Sequence, residues 1–309
     1  MQALTTGVSF LDLEFQGSLR VIATAVLHGA PGVALIDPGP ASTLPTLRAQ
    51  LKAAGIAISD VTAILLTHIH LDHAGATGTL VREHPSLRVY VHERGAAHLA
   101  DPSKLLASAT RLYGDAMQQL WGEVAAVPSS AIVPLKGGEY LAVGGRSLDV
   151  AYTPGHASHH VSYFVKDARI AFVGDTAGIR LRPGGYVLPP TPPPDIDLEV
   201  WKESLDRIEG EGPETLFLTH FGPSGPAGDH LRELREHLDV VGTMSRVAFD
   251  REGSEEEREA WYCEELRRHV RARVGDAETM SYEVAASFDL NWRGLARYWS
   301  KRLERSDRR

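Results

Sequence analysis

The chain has 309 residues, 43% of them hydrophobic, and a formal net charge of −8. That length suits one large domain with a smaller appendage, and that apolar share can bury a sizeable core. The acidic balance argues against a nucleic-acid channel, which needs clustered Lys and Arg to release counterions. The single cysteine, Cys263, excludes a disulfide within the chain and fits a reducing cytoplasm.

The first residues carry no basic stretch followed by an apolar run, so no secretory signal is expected. No segment reaches ~18 uninterrupted apolar residues, so no membrane span is expected either. Residues 7–36 read as short strands, clearest at 21–27 and 33–36, with a hairpin turn at 28–32. Asp37-Pro38-Gly39-Pro40 stops the second of these. Asp37 is either a turn cap or a support that accepts the ring N–H of a metal ligand. Residues 41–54 have helical spacing, with Leu44, Leu47 and Leu51 as the apolar stripe and Gly55 as the stop.

Residues 61–66 form a short apolar run that reads as a buried strand. It leads into Thr67-His68-Ile69-His70-Leu71-Asp72-His73, which places three imidazoles and a carboxylate within six residues. That is a ligand set for zinc, iron or manganese. His68 and His70 are two apart, so an extended backbone points both to one side. Asp72 and His73 follow where the chain turns and are placed to face a second ion.

A helix at 75–84 and a strand at 88–92 continue a strand–helix–strand alternation, which predicts an α/β fold. His84 and His92 read as structural. Residues 95–122 are helical, broken at Pro102. This insertion either covers the mouth of the site, with Tyr113, Met117 and Trp121 facing substrate, or packs as core. Strands around Gly137-Gly138 and Gly144-Gly145 predict two hairpins. The strand at 148–152 ends in Thr153-Pro154-Gly155-His156. His159 and His160 follow, reaching the ligands or the substrate, or serving as structural residues at a strand start.

Strands at 161–165 and 169–173 come next, the latter running into Gly174-Asp175. Residues 178–195 form a proline-stiffened loop in which Tyr186 either caps a pocket or is a plain loop residue. A helix starts at 195–197, with Leu198, Trp201, Leu205 and Ile208 as its stripe. The strand at 215–218 ends in Thr219-His220. Beyond residue 226 only helices are expected: one carrying Leu231 to Val241, then 255–274, acidic at its start and basic at its end, then 280–288 and 292–303. His230, His237 and His269 read as surface or packing residues. Trp292, Tyr298 and Trp299 either pack these helices internally or line a homodimer interface. The tail at 302–309 is expected to fray.

Four apolar strands therefore end in a ligand: His68, His156, Asp175 and His220. Strand ends along one rim are where α/β folds place their sites. His68, His70 and His156 make one ligand set. Asp72, His73 and His220 make a second. Asp175, with two oxygens, can bridge both.

The His-x-His-x-Asp-His segment followed by His156, Asp175 and His220 resembles the metallo-β-lactamase-fold hydrolases over roughly residues 1–225. The phrases Thr-His-Ile-His-Leu-Asp-His-Ala-Gly and Thr-Pro-Gly-His-Ala-Ser-His-His are most similar to an archaeal and bacterial branch near glyoxalase II. The resemblance implies a four-layer α/β/β/α sandwich at 1–225 with a C-terminal helical region at 226–309. It implies two divalent metal ions, zinc before iron or manganese, and a supporting role for Asp37. An aspartate at 175, where many true β-lactamases carry cysteine, is similar to the thioesterase, lactonase and phosphodiesterase members.

The expected reaction is attack of a metal-activated hydroxide on a thioester, lactone or other carboxylic ester. His68, Asp72 and Asp175 are the expected catalytic residues, with Asp72 orienting the nucleophile and passing a proton to the leaving group. β-Lactam or phosphodiester hydrolysis on the same site is the alternative. A mononuclear iron oxygenase or a non-catalytic binder is the alternative of another class. The expected partner is a small-molecule substrate. Glyoxalase II-like relatives hold glutathione through a basic motif that has no counterpart placed on this chain.

Overall fold

The computed structural model describes residues 1–30 and 32–306. Pro31 of the expected 28–32 turn, and the last three residues of the tail, lie outside them. Two sheets stack face to face. The first has seven strands in chain order: β1 (Gln2–Thr5), β2 (Val8–Asp12), β3 (Ala23–Gly29), β4 (Gly32–Ile36), β5 (Val61–Leu65), β6 (Arg88–His92) and β7 (Ile132–Leu135). It is antiparallel as far as β4 and parallel from β4 to β7. The second comprises β8 (Tyr140–Val143), β9 (Arg146–Tyr152), β10 (Val161–Val165), β11 (Ile170–Phe172), β12 (Thr215–Leu218) and β13 (Gly222–Ser224), and only β11 and β12 run parallel.

The helices cover the outer faces. In order they are α1 (Leu44–Ala53), α2 (Leu71–Ala74), α3 (Thr77–Glu83), α4 (Glu93–Ala100), α5 (Ser103–Tyr113), α6 (Met117–Trp121) and α7 (Leu198–Gly210). Four more follow: α8 (Ala227–Asp250), α9 (Glu255–Val274), α10 (Asp276–Ala285) and α11 (Phe288–Ser306). The two-residue period of a strand sorts the first sheet's side chains. Ala34 and Ile36 of β4 join the core shared with Tyr163, Phe172 and Phe217 of the second sheet. Val33 and Leu35 join the outer core with Leu47 and Leu51 of α1. Both faces of the sheet are therefore buried, as a partly parallel sheet requires.

The helices after residue 226 share the core of the second sheet through Leu231, Leu234, Tyr262, Tyr282 and Trp292. The α9 boundaries follow from its caps. The Ser254 hydroxyl accepts from the Glu257 N–H and the Glu257 carboxylate accepts from the Ser254 N–H, with acidic residues at the start and Arg271 and Arg273 at the end. Trp292 and Tyr298 are buried inside this helical layer. Cys263 lies part-buried on α9, where burial pushes its thiol up to about 12. No helix among the described residues is long and apolar enough to cross a membrane.

Several expectations need correction. Gly144-Gly145 is a hairpin, with Val143 opposite Arg146. Gly137-Gly138 is not, because β7 and β8 belong to different sheets and the glycines carry the chain between them. Residues 302–306 continue α11 instead of fraying. The helix expected at 280–288 is α10, which starts earlier and stops at Ala285, and α11 begins at Phe288. β1 and β13 were not foreseen.

The strand ends are level. Ile36 pairs with Leu65 and Phe172 with Phe217, so the segments that follow emerge together along one rim. Two backbone bonds fasten the sheets there, Val161 N–H to Thr67 O (2.8 Å) and Ala23 N–H to Thr219 O (2.8 Å). Behind the rim, Gly155 has φ +132°, and a Cβ on it would lie 2.3 Å from the Trp201 Cα. Trp201 is fully buried, and its indole N–H donates to Thr176 O. Gly155→Ala is expected to destabilise the fold by about 3 kcal/mol through combined strain and overpacking, read as a lower chemical-denaturation midpoint.

Candidate metal centre

Four rings at the rim are each oriented by a bond on the far side. His156 Nδ1–H donates to Pro190 O (2.9 Å) and His220 Nδ1–H to Val21 O (2.6 Å). A carbonyl only accepts, so Nδ1 carries a proton in both rings and Nε2 is the nitrogen turned toward the centre. His73 Nδ1–H donates to Asp37 Oδ2 (2.8 Å). The Thr67 hydroxyl also donates to Asp37 Oδ2 (2.7 Å), so it receives the His68 Nδ1–H at 3.1 Å. Four imidazoles thus turn Nε2 toward a common space.

Asp37 organises this arrangement. It is fully buried and has a left-handed φ of 51°, a conformation Asp tolerates better than most residues. Besides His73 and the Thr67 hydroxyl, it accepts the Thr67 N–H (2.8 Å) and the Thr219 hydroxyl (2.8 Å). Its role is therefore the supporting one, not a turn cap alone.

The predicted ligands fall into two sets. His68, His70 and His156 form one; Asp72, His73, Asp175 and His220 form the other, and within each set the ligand atoms lie within 4.8 Å of one another. Asp175 Oδ1 stands 3.2 Å from His73 Nε2 and 3.6 Å from His220 Nε2, while its Oδ2 stands 3.5 Å from His156 Nε2. Asp175 therefore spans both sets. Asp72 Oδ2 is 3.3 Å from His220 Nε2, and His70 Nδ1 is 3.0 Å from His156 Nε2. Ligands about 2.1 Å from a tetrahedral cation sit roughly 3.4 Å apart, so these spacings fit cations.

Nε2 of His68, His73 and His220, with Asp175 Oδ1, is buried and has no hydrogen-bond partner among the described residues. Buried polar atoms left so are rare unless an ion or water completes them.

The charges agree. Burial, with the neighbouring His73 and His70, pushes His68 well below the usual imidazole range. Burial and His156 hold His70 at about 4. Both rings are neutral at physiological pH, as a metal-binding imidazole must be. Burial works to raise Asp72, but His73 and His220 draw it down to about 2. Asp175 is likewise held well below the carboxylate range by His73, His220 and His156, against burial. The paired carboxylates raise His73 and His220 in turn, also against burial. Two buried carboxylates that raise the imidazoles beside them call for positive charge at this spot, from a cation or from protons on His73 and His220.

His159 and His160 stand outside both sets. The His160 ring stacks on His68 (5.0 Å between centroids) and its Nδ1 lies 3.2 Å from the Thr153 hydroxyl. The His159 ring stands 5.8 Å from His70. Both pack behind the ligands.

His70, Asp72 and Asp175 form the floor of a cavity of about 350 Å³. Tyr113 and Trp121 line it and Met117 does not. Tyr186 is not a cap either: it is buried and stacked on His237 of α8 at 4.0 Å. Sequence reasoning missed Thr67 and Thr219, although Leu-Thr-His occurs twice, at 66–68 and 218–220. It also missed the cavity residues 284–291.

A model of the metallo-beta-lactamase superfamily matches residues 20–220. The chain belongs to this superfamily. It is 32% identical over 195 residues to a metallo-beta-lactamase fold-containing protein of Sulfurisphaera tokodaii, covering 60% of this chain and 72% of that one. It is 41% identical over 114 residues to a probable metallo-hydrolase of Bacillus subtilis, 37% of this chain and 48% of that protein, so the match spans about half of the relative's length. Among solved structures, a metallo-beta-lactamase family protein of Thermus thermophilus superposes with a TM-score of 0.67 at 26% identity, over 91% of this chain and 93% of that chain. The sandwich and its His/Asp clusters are those of a metallo-hydrolase superfamily.

Asp37→Ala is expected to strand four buried donors, cost about 3 kcal/mol of stability and weaken metal affinity by about 10- to 100-fold. Titration of the metal-depleted variant with zinc, beside a melting curve, checks both.

Proposed function

We propose that this chain is a hydrolase of carboxylic esters, thioesters or lactones that works with two divalent metal ions. The observation that carries the reading is the convergence of unpartnered Nε2 atoms and carboxylate oxygens at ligand spacing on a cavity floor. His68, His70 and His156 would hold one ion, Asp72, His73 and His220 the other, and Asp175 both. Zinc suits the imidazole-rich set first, with iron or manganese as alternatives. When bound, such ions polarise a carbonyl oxygen and make water a nucleophile near neutral pH.

The rest follows from the chain's own groups. Asp72 is the carboxylate of the second set that is partly open to the cavity. It is placed to accept a hydrogen bond from the attacking water and so aim its oxygen at the acyl carbon. The water oxygen bonds to that carbon and the C–S or C–O bond breaks. Asp72 passes one water proton to the departing thiolate or alkoxide, and the acid leaves as its carboxylate with the other proton released to solvent. Asp175 and Asp37 keep the rings fixed while charge moves, so little reorganisation accompanies the step.

The test is metal analysis combined with thioesterase, esterase and lactonase assays on the wild type, His68→Ala and Asp175→Ala. The expected result is about two metal ions per chain, activity removed by chelation and restored by metal, and a loss of at least about 100-fold in each variant. Unchanged activity in both variants would overturn the reading.

A further inference from the structure

The cavity walls point to a substrate class. One wall is Leu105, Ala109, Leu112 and Tyr113 of α5 with Leu120 and Trp121 of α6. Trp121 is stacked on Phe15 at 5.7 Å and Tyr113 meets it edge-on at 5.0 Å, so this wall is braced. The facing wall is the prolyl strap, Pro190 and 192–194, and the turn between α10 and α11, with Val284, Ala285 and Leu290. That turn is tied to the strap: Thr191 N–H donates to Asn291 Oδ1 (2.8 Å) and the Thr191 hydroxyl to Asn291 O (3.1 Å). At Gly294 a Cβ would lie 1.9 Å from Thr191 O, so α11 and the strap touch backbone to backbone. The turn lies outside residues 20–220, so the C-terminal helices build the part of this wall that the strap does not.

The surface is mostly apolar, and its charges are one-sided. Among the described residues no Lys or Arg lines the cavity, and beyond the floor the charged side chain is Asp289. Asp289 is already engaged by Ser287 Oγ and by Arg293 at 3.3 Å. Burial pushes the Tyr113 phenol up, so it stays neutral. An anionic arm would lose hydration here without gaining a partner. An uncharged chain loses nothing and gains by leaving water. The volume of about 350 Å³ lies in the range of roughly 300–1,000 Å³ in which sites bury most of a small ligand.

We infer that this cavity takes the uncharged, apolar acyl arm of the ester or thioester, with the scissile carbonyl over Asp72 and Asp175. The inference rests on the hydrolase reading above.

The experiment uses the metal-loaded full chain and acetyl, butanoyl, hexanoyl, octanoyl and succinyl thioesters of one neutral thiol, N-acetylcysteamine. The expected kcat/KM rises about 3-fold per methylene from acetyl to hexanoyl and falls at least about 10-fold from butanoyl to succinyl. Leu112→Glu and Leu112→Ala, at a partly exposed position and checked for folding by melting curve, are expected to reduce the octanoyl-to-acetyl ratio by about 10-fold and 3-fold. Calorimetric binding of octanamide against acetamide gives a readout independent of turnover, with octanamide expected to bind more tightly and Leu112→Glu to remove the difference. Turnover that His68→Ala abolishes, but that is flat with chain length or favours succinyl, overturns this inference and leaves the hydrolase reading intact. Selective octanamide binding without hydrolysis of any ester sinks the hydrolase reading and supports the apolar arm site. Equal binding of the two amides, unchanged in Leu112→Glu, overturns it directly.

Discussion

One buried carboxylate holds the ligand rim together. Asp37 follows β4 of the first sheet, yet it grips Thr67 and His73 after β5 and Thr219 at the end of β12 in the second sheet. Those are the segments that carry His68, His73 and His220. A fully buried charge is tolerated only when its oxygens are satisfied, and four donors satisfy this one. The same bonds set the tautomers of His68 and His73, the first through the Thr67 hydroxyl. Strand register and ring orientation thus depend on one side chain, and changes in it are felt at both candidate clusters.

What Asp37 does for two rings, backbone carbonyls do for two more. Pro190 O and Val21 O come from a loop and from the entry to β3, and both fix Nδ1–H outward from the centre. The result is a set of inward-facing ring nitrogens and two carboxylates of lowered pKa packed at 3.0–3.6 Å. Such a set repels itself unless positive charge joins it. The fold supplies the rigidity that keeps the groups together, through level strand ends and the cross-sheet bonds at Thr67 and Thr219. The C-terminal helices add to this a wall of the cavity and a shared core.

The candidate ligands were legible in the sequence because they follow apolar strands, and a histidine or aspartate there has few other uses. The α/β alternation, the break at Pro102 and the limits of α9 were legible for the same reason: local pattern decides them. The partners that orient the ligands were not. Backbone carbonyls such as Pro190 O leave no mark in a sequence, and the threonine before His68 or His220 looks like any strand-end hydroxyl. Gly137-Gly138 misled because a glycine pair announces a turn without saying which sheet the next strand joins. The cavity wall at 284–291 lies more than a hundred positions from the helices it faces, and the break between α10 and α11 was expected a few residues later than it falls. Tyr186 was placed by the helices that bury it, which its own loop sequence does not describe.

The central claim is that ligands from both sheets converge on two cations. Crystals of the metal-loaded protein, measured on either side of the absorption edge of the bound metal, address it most directly. The account predicts two anomalous peaks, one among His68, His70 and His156 and one among Asp72, His73 and His220, with the Asp175 carboxylate between them. A single peak, or two peaks with Asp175 or His156 turned away, would contradict it.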